Sequence, residues 1–365
     1  MYIHQREGWP EFRWDNAVLV SLLAEIRHKQ GRLLGRMEGL GFKLREEAKL
    51  NTLSRDVVKS SAIEGEDLDA EQVRSSIARR LGIKYADAVV ASRHVDGVVE
   101  MMLDATQRYA DPLTKKRLFG WHASLFPTGY SGVQKITVAK WRTPKSGKMR
   151  VVSGAIGRER VHFEAPTAEV LNDEMTTFLA WFGTDNMDQV LKSGVAHLWF
   201  VTIHPFQDGN GRIGRALADM ALARAENTPD RFYSMSTQIE AERRDYYLQL
   251  EAAQRGGLDI TKWLKWYLEC LGRALDSAQA ELEATLSKAR IWEHIKSSPI
   301  NDRQRAIINR LINGFEGKLT SVKYAKITKC SHDTALRDIK ALIDQGILMQ
   351  EEAGGRSTSY RLVME

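Results

Sequence analysis

The 365-residue sequence lacks several features that would place it in a particular class of protein. Its two cysteines, Cys270 and Cys330, lie far apart and outside any Cys-x-x-Cys spacing, so the sequence indicates neither a disulfide framework nor a zinc site. The N-terminus has no apolar run, and no segment reaches the roughly 18 consecutive apolar residues of a membrane helix. We therefore expect a cytoplasmic protein with no membrane partner.

The content of 43% hydrophobic residues is sufficient for a large core. At this length two or three domains are expected. The net charge of +6 is unevenly distributed: from Leu286 onward there are 14 lysines and arginines against 9 aspartates and glutamates. The first 285 residues are therefore nearly neutral, and any attraction for nucleic acid belongs to the C-terminal segment.

Twelve residues from His204 to Arg215 combine a histidine, a carboxylate, a glycine-bracketed turn and two arginines. Val190–Ile203 has the pattern of a strongly apolar helix, and Pro205 disfavours helix at the residue before it, so His204 should end that helix. Apolar residues recur at helical spacing after Gly211, which predicts a second helix there. Because the first amides of a helix are unpaired and its dipole is positive at that end, the turn predicts an anion site.

Each polar residue of this stretch suits one part of phosphate chemistry. The Gly209-Asn210-Gly211 amides can surround phosphate oxygens, since glycine has no Cβ to block them. Arg212 and Arg215, three residues apart, should reach the same polyphosphate. Asp208 is an oxygen ligand suited to Mg²⁺, and His204 can act as a general base at neutral pH. Taken singly, the histidine would be a structural residue and the glycines an ordinary turn.

Every position matches H-x-F-x-D-G-N-G-R-x-x-R, and the sequence therefore resembles the Fic (filamentation induced by cAMP) family of adenylyltransferases. The resemblance implies a mainly helical fold, Mg²⁺ as cofactor, and transfer of AMP from ATP to a Ser, Thr or Tyr hydroxyl of a protein. A lysine in place of Gly211 would characterise phosphate-transferring relatives. The implied roles are base for His204, metal ligand for Asp208, and ATP binding for Phe206 as apolar anchor, Gly209, Asn210, Gly211, Arg212 and Arg215.

A second informative stretch, Ser60 to Gly65, closes a helix predicted over Lys43–Ile63. Ser60 and Glu64 lie one helical turn apart, so their side chains point the same way, and Gly65 suits the left-handed residue that closes a helix. Alone, the stretch would be an ordinary helix end. Beside the motif it resembles the family's inhibitory pattern, Ser/Thr-x-x-x-Glu-Gly/Asn, placed before the core. The resemblance implies that Glu64 pairs with Arg215 and misplaces the ATP phosphates.

Two further segments resemble parts of the family fold. Met149–Val152 and Arg160–Phe163, separated by Gly154 and Gly157, predict a hairpin. It resembles the Fic flap, on which a target segment docks as an added strand, although an ordinary surface hairpin is the alternative. The docking residues would be Val161, His162 and Phe163. Asp245-Tyr246-Tyr247 resembles the segment that covers the nucleotide base, which implies ATP contacts from Tyr246 and Gln254, whereas buried core is the alternative.

Other helices follow from caps and periodicity. Asp15 should cap a helix from Asn16 whose apolar stripe starts at Val18, and Asp69 should begin a helix that ends near Gly82. We also expect a continuous helix over Tyr85–Arg108, with Val89 on its apolar side.

The C-terminal segment has the element order of a winged helix-turn-helix. Its helices are expected over Asn301–Asn313, over Val322–Thr328 after a strand at Lys318–Thr320, and after the cap Ser331. Strands at Ile347–Gln350 and Thr358–Leu362 would flank a wing at Ala353–Arg356. The third helix offers His332, Thr334, Arg337 and Lys340, but also Asp333 and Asp338, whose charges would repel DNA phosphates. DNA binding and a protein-docking or dimerising role therefore both stay open.

We expect three domains: an N-terminal helical region with the inhibitory helix (1–108), a Fic catalytic domain (109–285) and the winged helix-turn-helix (286–365). The main functional hypothesis is a self-inhibited protein adenylyltransferase whose substrate is a protein, the chain itself included. A nucleic-acid-binding regulator that senses ATP is the alternative, and His204 discriminates against it because sensing needs no base. Removal of AMP by the same site, with Glu64 orienting a water, also stays open, as does a homodimer.

Overall fold

The computed structural model describes residues 1–154, 158, 160–184, 187–295, 298–312, 314–351 and 358–363. Within these ranges the chain is mainly helical, which confirms the predicted fold class, and it forms two compact units, Met1–Gln279 and Ala280–Glu365. The finer division into three domains stays a prediction. None of the helices described is both long enough and apolar enough to cross a membrane.

The helices that begin in the first unit are α1 (Asn16–Glu38), α2 (Phe42–Ile63), α3 (Ala70–Leu81), α4 (Arg93–Gln107), α5 (Lys115–Leu125), α6 (Leu171–Phe182), α7 (Gln189–Ile203), α8 (Asn210–Glu226), α9 (Met235–Ala241), α10 (Arg243–Arg255) and α11 (Thr261–Ile295). Between α5 and α6 the described residues form two antiparallel hairpins. They are β1 (Tyr130–Ser131) with β2 (Gln134–Lys135), and β3 (Arg150–Ser153) with β4 (Arg160–Glu164).

The predicted caps fix several helix ends. The Asp15 carboxylate accepts the amide of Ala17 at the start of α1, and Asp69 accepts the amide of Gln72 at the start of α3. Each bond satisfies one of the amides that a helix leaves unpaired at its N-terminus. Gly82 closes α3 with a φ of 69°, in the left-handed region that glycine adopts readily. These predictions are confirmed.

The predicted helix over Tyr85–Arg108 is wrong in its first two turns. It begins at Arg93, because the hydroxyl of Ser92 accepts the amide of Val95 and caps it there. The segment before Ser92 runs along α3 instead, where the amide of Val89 donates to Ser75 Oγ at 3.0 Å. Val89, expected on an apolar face, is consequently exposed.

Glu242 separates α9 from α10, because it has non-helical backbone angles and binds Arg273 Nε at 2.5 Å. The expectation that the apolar stripe of α1 starts at Val18 is wrong, because Val18 is exposed. The buried stripe of that helix starts one residue later, at Leu19.

Helices α7 and α8 form the centre of the first unit. Every residue of α7 from Val190 to Ile203 is buried, and α8 is buried on all sides from Arg212 to Ala223. Removing each large apolar side chain from water contributes about 1.5–3 kcal/mol, so the two helices are strongly fixed. The loop that joins them, which carries the motif, is therefore held rigidly at both ends.

The second unit contains three helices and a three-stranded antiparallel sheet of order β5-β7-β6, within the residues described. Its elements are α12 (Asp302–Ile312), β5 (Leu319–Thr320), α13 (Ser321–Thr328), α14 (His332–Asp344), β6 (Leu348–Gln350) and β7 (Ser359–Leu362). Their order is the one predicted for a winged helix-turn-helix. Asn313, at the predicted end of the first helix, and the predicted wing at Ala353–Arg356 lie outside the described residues.

Asp338 does not face solvent on α14, in contrast to the expectation that its charge would repel DNA. It is 7% exposed and accepts hydrogen bonds from Asn301 Nδ2 at 3.0 Å, Arg303 Nε at 2.8 Å and Tyr324 OH at 3.1 Å. Burial alone would raise the pKa of this carboxyl, but the three hydrogen bonds outweigh burial and lower it. Asp338 therefore forms an ion pair with Arg303 of α12 and a hydrogen bond with Tyr324 of α13, and these contacts join the three helices.

Candidate active site

The motif loop begins and ends in left-handed backbone. His204 closes α7 with a φ of 51°, and Gly209 precedes α8 with a φ of 80°. The side chain of Asn210, the first residue of α8, binds the backbone of Phe206 twice: its Oδ1 accepts the amide at 3.0 Å and its Nδ2 donates to the carbonyl at 2.9 Å. Asn210 thus fixes the loop internally, and the amides at the start of α8 face the turn.

Phe206 anchors the loop in the core. Its ring is fully buried and stacks on His122 with a centroid distance of 4.1 Å, beside Trp141 and Phe119. Phe206 is absent from the residues that line the cavity described below. The structure therefore gives it the anchoring role, and direct contact with ATP stays a prediction.

The hydrogen bond of His204 fixes which ring nitrogen carries the proton. Nδ1 lies 3.2 Å from the carbonyl oxygen of Val201, and because a carbonyl can only accept, Nδ1 donates. The lone pair is then on Nε2, and His204 lines the cavity. Burial lowers the pKa of His204 to about 4, with the Val201 carbonyl opposing and Arg142 adding to the decrease. His204 is consequently neutral at pH 7, as a base must be.

Arg215 is bound by the two predicted inhibitory residues. Its guanidinium is buried, donates from Nη1 to Glu64 Oε1 at 2.9 Å, and donates from Nε to Ser60 Oγ at 2.9 Å and from Nη2 to Ser60 O at 2.7 Å. Burial would lower the pKa of Arg215, but the Glu64 carboxylate reverses this and raises it. The structure therefore brings Ser60, Glu64 and Arg215 together, as the resemblance to the inhibitory pattern implies.

The Glu64 carboxylate also lies directly against the start of α8. A Cβ built on Gly211 would be 1.9 Å from Glu64 Oε1, so only glycine leaves room for this contact. Gly65 follows with a φ of 83°, which turns the chain immediately after α2. Since the N-terminus of a helix attracts anions, Glu64 stands where a phosphate group is predicted to bind.

A second carboxylate, Glu66, binds the other motif arginine, and the sequence analysis missed it. Its Oε2 accepts from Arg212 Nη1 and lies 3.4 Å from His94 Nε2, while the Arg212 guanidinium lies 5.2 Å from the centre of the Phe126 ring. Burial raises the pKa of Glu66, but the His94 hydrogen bond and the Arg212 charge outweigh burial and lower it. Both predicted phosphate clamps are thus paired with carboxylates.

Asp208 suits a magnesium ion that a nucleotide brings with it. Its Oδ1 accepts the amide of Gly209 at 2.6 Å and its Oδ2 accepts the hydroxyl of Ser131 on β1, so the carboxylate has a fixed orientation. Among the described residues no group of three or more His, Cys, Asp and Glu could hold a metal by itself. Mg²⁺ commonly binds through one carboxylate together with substrate phosphates and water, and Asp208 fits that requirement.

A cavity of about 560 Å³ opens beside His204, Glu64 and Gly211. Tyr246 and Gln254, which were predicted to contact ATP, both line this cavity. The Tyr246 hydroxyl lies 2.8 Å from His197 Nε2, and Gln254 Nε2 lies 3.4 Å from Thr202 Oγ1. Its other lining residues include Val151, Val152, Arg160, Arg243, Arg244, Tyr247, Leu248 and Leu250. The cavity is within the size range of small-molecule sites.

Tyr247 lines the same cavity, although the sequence predicts a contact only from its neighbour Tyr246. Its hydroxyl donates to the carbonyl of Ile63 at 3.2 Å, directly before Glu64. Tyr247 therefore connects the cavity wall to the end of α2. Two adjacent tyrosines point to different sides of a helix, but periodicity alone did not decide which of them faced the inhibitory segment.

The predicted flap forms as the hairpin β3–β4, although Gly157 lies outside the described residues. His162 and Phe163 line the cavity, whereas Val161 contributes its carbonyl oxygen, which accepts from Arg255 Nη2 at 2.8 Å. His162 Nδ1 lies 2.7 Å from Glu251 Oε2 on α10. The strand is therefore bound to α10. That Val161, His162 and Phe163 dock a target stays a prediction.

Comparison with known proteins agrees with this geometry. Residues 112–222 match the Fic/DOC family, and residues 2–83 match a domain of unknown function, DUF4172. Residues 112–222 are therefore a Fic domain. The chain resembles the crystal structure of a Fic family protein from Desulfovibrio desulfuricans G20, with a TM-score of 0.54, 24% identity, and coverage of 95% of this chain and 96% of that one. At this identity the likeness shows the fold.

Curated relatives match the central part of the chain. Protein adenylyltransferase Fic of Culex quinquefasciatus is 33% identical over 105 residues, which are 28% of this chain and 19% of the relative. Uridine 5'-monophosphate transferase of Xanthomonas campestris pv. campestris (strain 8004) is 28% identical over 123 residues, 31% of this chain and 21% of the relative. The chain thus spans about a fifth of each of these relatives.

Proposed function

We propose that this protein transfers AMP from ATP to a Ser, Thr or Tyr hydroxyl of a protein, and that Glu64 inhibits the transfer. One observation carries the proposal: a neutral His204, with its Nε2 lone pair free, lines the same cavity as Glu64 and the start of α8. An ATP-binding sensor would need the phosphate site but not a base beside it. A base together with a phosphate site is what nucleotidyl transfer requires.

The reaction follows from these positions. The target hydroxyl gives its proton to His204 Nε2, and its oxygen attacks the α-phosphorus of ATP. The bond between that phosphorus and the oxygen leading to the β-phosphate breaks, and diphosphate leaves with the electron pair. Arg212, Arg215 and the first amides of α8 stabilise the phosphate charge, and Mg²⁺ held by Asp208 would supply further positive charge.

The proposed inhibition follows from the occupied arginines. Glu64 uses Arg215 and lies against Gly211, and Glu66 uses Arg212, so the two cations are neutralised before ATP arrives. A nucleotide that bound without displacing these carboxylates would place its phosphates beside two negative charges. Its α-phosphorus would then be misplaced for attack.

The function is tested by incubating the purified protein with Mg²⁺ and ATP, either alone or with a lysate. Mass spectrometry then detects adenylate added to the protein or to a partner. The Glu64→Gln variant should add adenylate to itself or a partner, and Glu64→Gln with His204→Ala should lose roughly 10²–10⁴-fold in rate. UTP in place of ATP should give less product. This comparison tests the preference for ATP, since one relative is named a uridine 5'-monophosphate transferase. Equal labelling with and without His204 would contradict the mechanism.

The same arrangement leaves removal of AMP as a second reaction of the site. Glu64 lies beside the start of α8, where it could orient a water toward a bound phosphate. Incubating an adenylylated target with the parent chain and with Glu64→Gln distinguishes the two directions. Removal requires Glu64, whereas transfer is increased by its loss.

Nucleic-acid binding is a second candidate function, favoured by the surface of the second unit. Because Asp338 is buried, the exposed cations of α13, α14 and the turn between them, Lys323, Lys326, Lys329, Arg337 and Lys340, exceed their exposed carboxylates, Asp333 and Asp344. Positive charge on a helix-turn-helix is the usual footprint of DNA binding. This function would accompany AMP transfer on the same chain.

A further inference from the structure

Arg142 lies between β2 and β3, outside the motif, and its side chain contacts the catalytic loop. Its side chain is 2% exposed. Nε donates to the carbonyl of His204 at 2.8 Å, and Nη2 lies 3.4 Å from the carbonyl of Ile203. Its backbone amide donates to the carbonyl of Pro205 at 2.9 Å. A single residue therefore binds three successive carbonyls around the proposed base.

These carbonyls need such a partner. The last carbonyl oxygens of a helix accept no hydrogen bond from an amide of the same helix. A cation at that end also complements the helix dipole. His204 also holds a left-handed conformation, with a φ of 51°, that a non-glycine residue rarely adopts. The bonds from Arg142 hold the backbone in this conformation, and the backbone sets the direction of the imidazole.

Arg142 also joins the catalytic loop to the flap. Arg142 precedes β3 in the chain and Pro166 follows β4, and Nη2 of Arg142 donates to the carbonyl of Pro166 at 2.5 Å. The two ends of the flap segment and the carbonyl of His204 thus meet at one guanidinium. A shift of the flap would be transmitted to His204 through this contact.

We propose that Arg142 is a positioning residue that sets the orientation of His204 relative to the flap. The inference rests on the proposed function for its catalytic consequence, while the geometry itself does not depend on that function. Arg142 touches the backbone of His204 and not the reacting atoms. Its loss should therefore lower the catalytic rate and leave nucleotide binding nearly unchanged.

The charges around His204 give a second readout. Burial lowers the pKa of His204 to about 4 and the Arg142 charge lowers it further, whereas Glu64 and Asp208 act in the opposite direction. Removing the Arg142 cation and loosening the loop should both raise this pKa toward the ordinary value. A residue that merely stabilised the fold would not change the titration of one histidine in this way.

The experiment compares Arg142→Gln and Arg142→Lys in the full-length Glu64→Gln protein. We expect Arg142→Gln to lower kcat roughly 10²-fold with KM for ATP within about threefold, since small misplacements of a catalytic group have effects of that size. Arg142→Lys, which keeps the charge but loses the forked donors, should be intermediate. Lys140→Gln, an exposed charge two residues away, is the matched control and should resemble the parent.

Histidine titration by NMR gives the readout that does not need activity. The His204 signal is assigned by its loss in His204→Gln, and it should titrate at higher pH in Arg142→Gln. Unchanged kcat and an unchanged titration in a folded variant would overturn the inference. If Arg142→Gln does not fold, the same two results for Arg142→Lys decide. If the Glu64→Gln parent transfers no AMP, the proposed function fails, and the titration alone supports or overturns the inference.

Discussion

The carboxylate of Glu66 binds the buried guanidinium of Arg212. It does so two residues after Glu64 binds Arg215, so one short segment at the end of α2 neutralises both arginines of the motif. A charge-assisted hydrogen bond to a buried group contributes about 1.5–3 kcal/mol. ATP must replace both contacts to use both arginines.

Replacing Glu64 should activate the protein. Glu64→Gln keeps the size of the side chain but removes the charge that holds Arg215, so transfer of AMP should rise roughly 10- to 100-fold, the equivalent of about 1.5–3 kcal/mol. Initial rates of adenylate incorporation at fixed ATP measure this. Glu47→Gln, an exposed position on the same helix, is the matched control. Equal rates for Glu64→Gln and Glu47→Gln would leave Glu64 as an ordinary helix-end residue.

Replacing Glu66 tests whether the second contact also inhibits. Glu66→Gln should raise the rate by less than Glu64→Gln, because Arg212 keeps the Phe126 ring as a partner. The double variant should be the most active of the three. A double-mutant cycle measures how far the two contacts depend on each other. A lower rate in Glu66→Gln would mean that Glu66 holds Arg212 in its productive orientation and does not inhibit.

The rate should depend little on pH near neutrality. A base must be unprotonated, and because the pKa of His204 is lowered to about 4, its neutral form predominates throughout pH 6 to 8. The acid limb of kcat should therefore lie below pH 5. Rates of Glu64→Gln at saturating Mg²⁺ and ATP between pH 5 and 8 check this. A limb near the ordinary histidine value of 6.5 would show that burial does not control this base in solution.

Acid should destabilise the folded protein as the pH falls below about 6.5. Burial also lowers the pKa of His122 to about 4 and of His197 to about 3, whereas unfolded histidines titrate near 6.5. The unfolded state then binds more protons than the folded state below pH 6.5, so the free energy of unfolding falls as pH falls. Urea denaturation at pH 7.5, 6.5 and 5.5 measures the slope. His122→Gln should flatten it, and a slope unaffected by that change would assign the effect elsewhere.

DNA binding by the second unit should be electrostatic. Fluorescence anisotropy of the full chain with a mixed-sequence duplex should show affinity that falls steeply from about 50 to 200 mM salt, as counterion release requires. Arg337→Glu with Lys340→Glu should abolish it, while Asp344→Lys should strengthen it. No binding at low salt would leave the protein-docking role of this unit. Salt-tolerant, sequence-selective binding would indicate base contacts instead.

The sequence predicts most of the first unit's helices and the whole motif loop because the signals for both are local. Asp69 and Gly82 mark the ends of α3 through caps that involve neighbours in the chain. Glu64 could be predicted because it matches the inhibitory pattern, in which helical spacing from Ser60 fixes its direction. Glu66 could not, because Gly65 turns the chain at positive φ and ends the helical register on which such an argument depends.

The missed residues depend on contacts between distant parts of the chain. Arg142 and His204 are 62 positions apart, and no local pattern marks the arginine as buried. For Asp338 the local pattern was informative, because the residue lies on the buried face of α14. A carboxylate is nevertheless expected to be exposed unless its partners are known. Arg303 and Tyr324, which make its burial favourable, come from other elements of the same unit.

Because the inhibitory carboxylates belong to the same chain as the arginines, the proposed inhibition would not depend on protein concentration. A tethered group acts at an effective concentration of about millimolar or more, set by its linker, and dilution does not reduce it. Here the linker is the well-packed end of α2. Relief would then require a partner or a modification that moves this turn, and the threshold for activation would be a fixed property of the chain, independent of how much of the protein a cell makes.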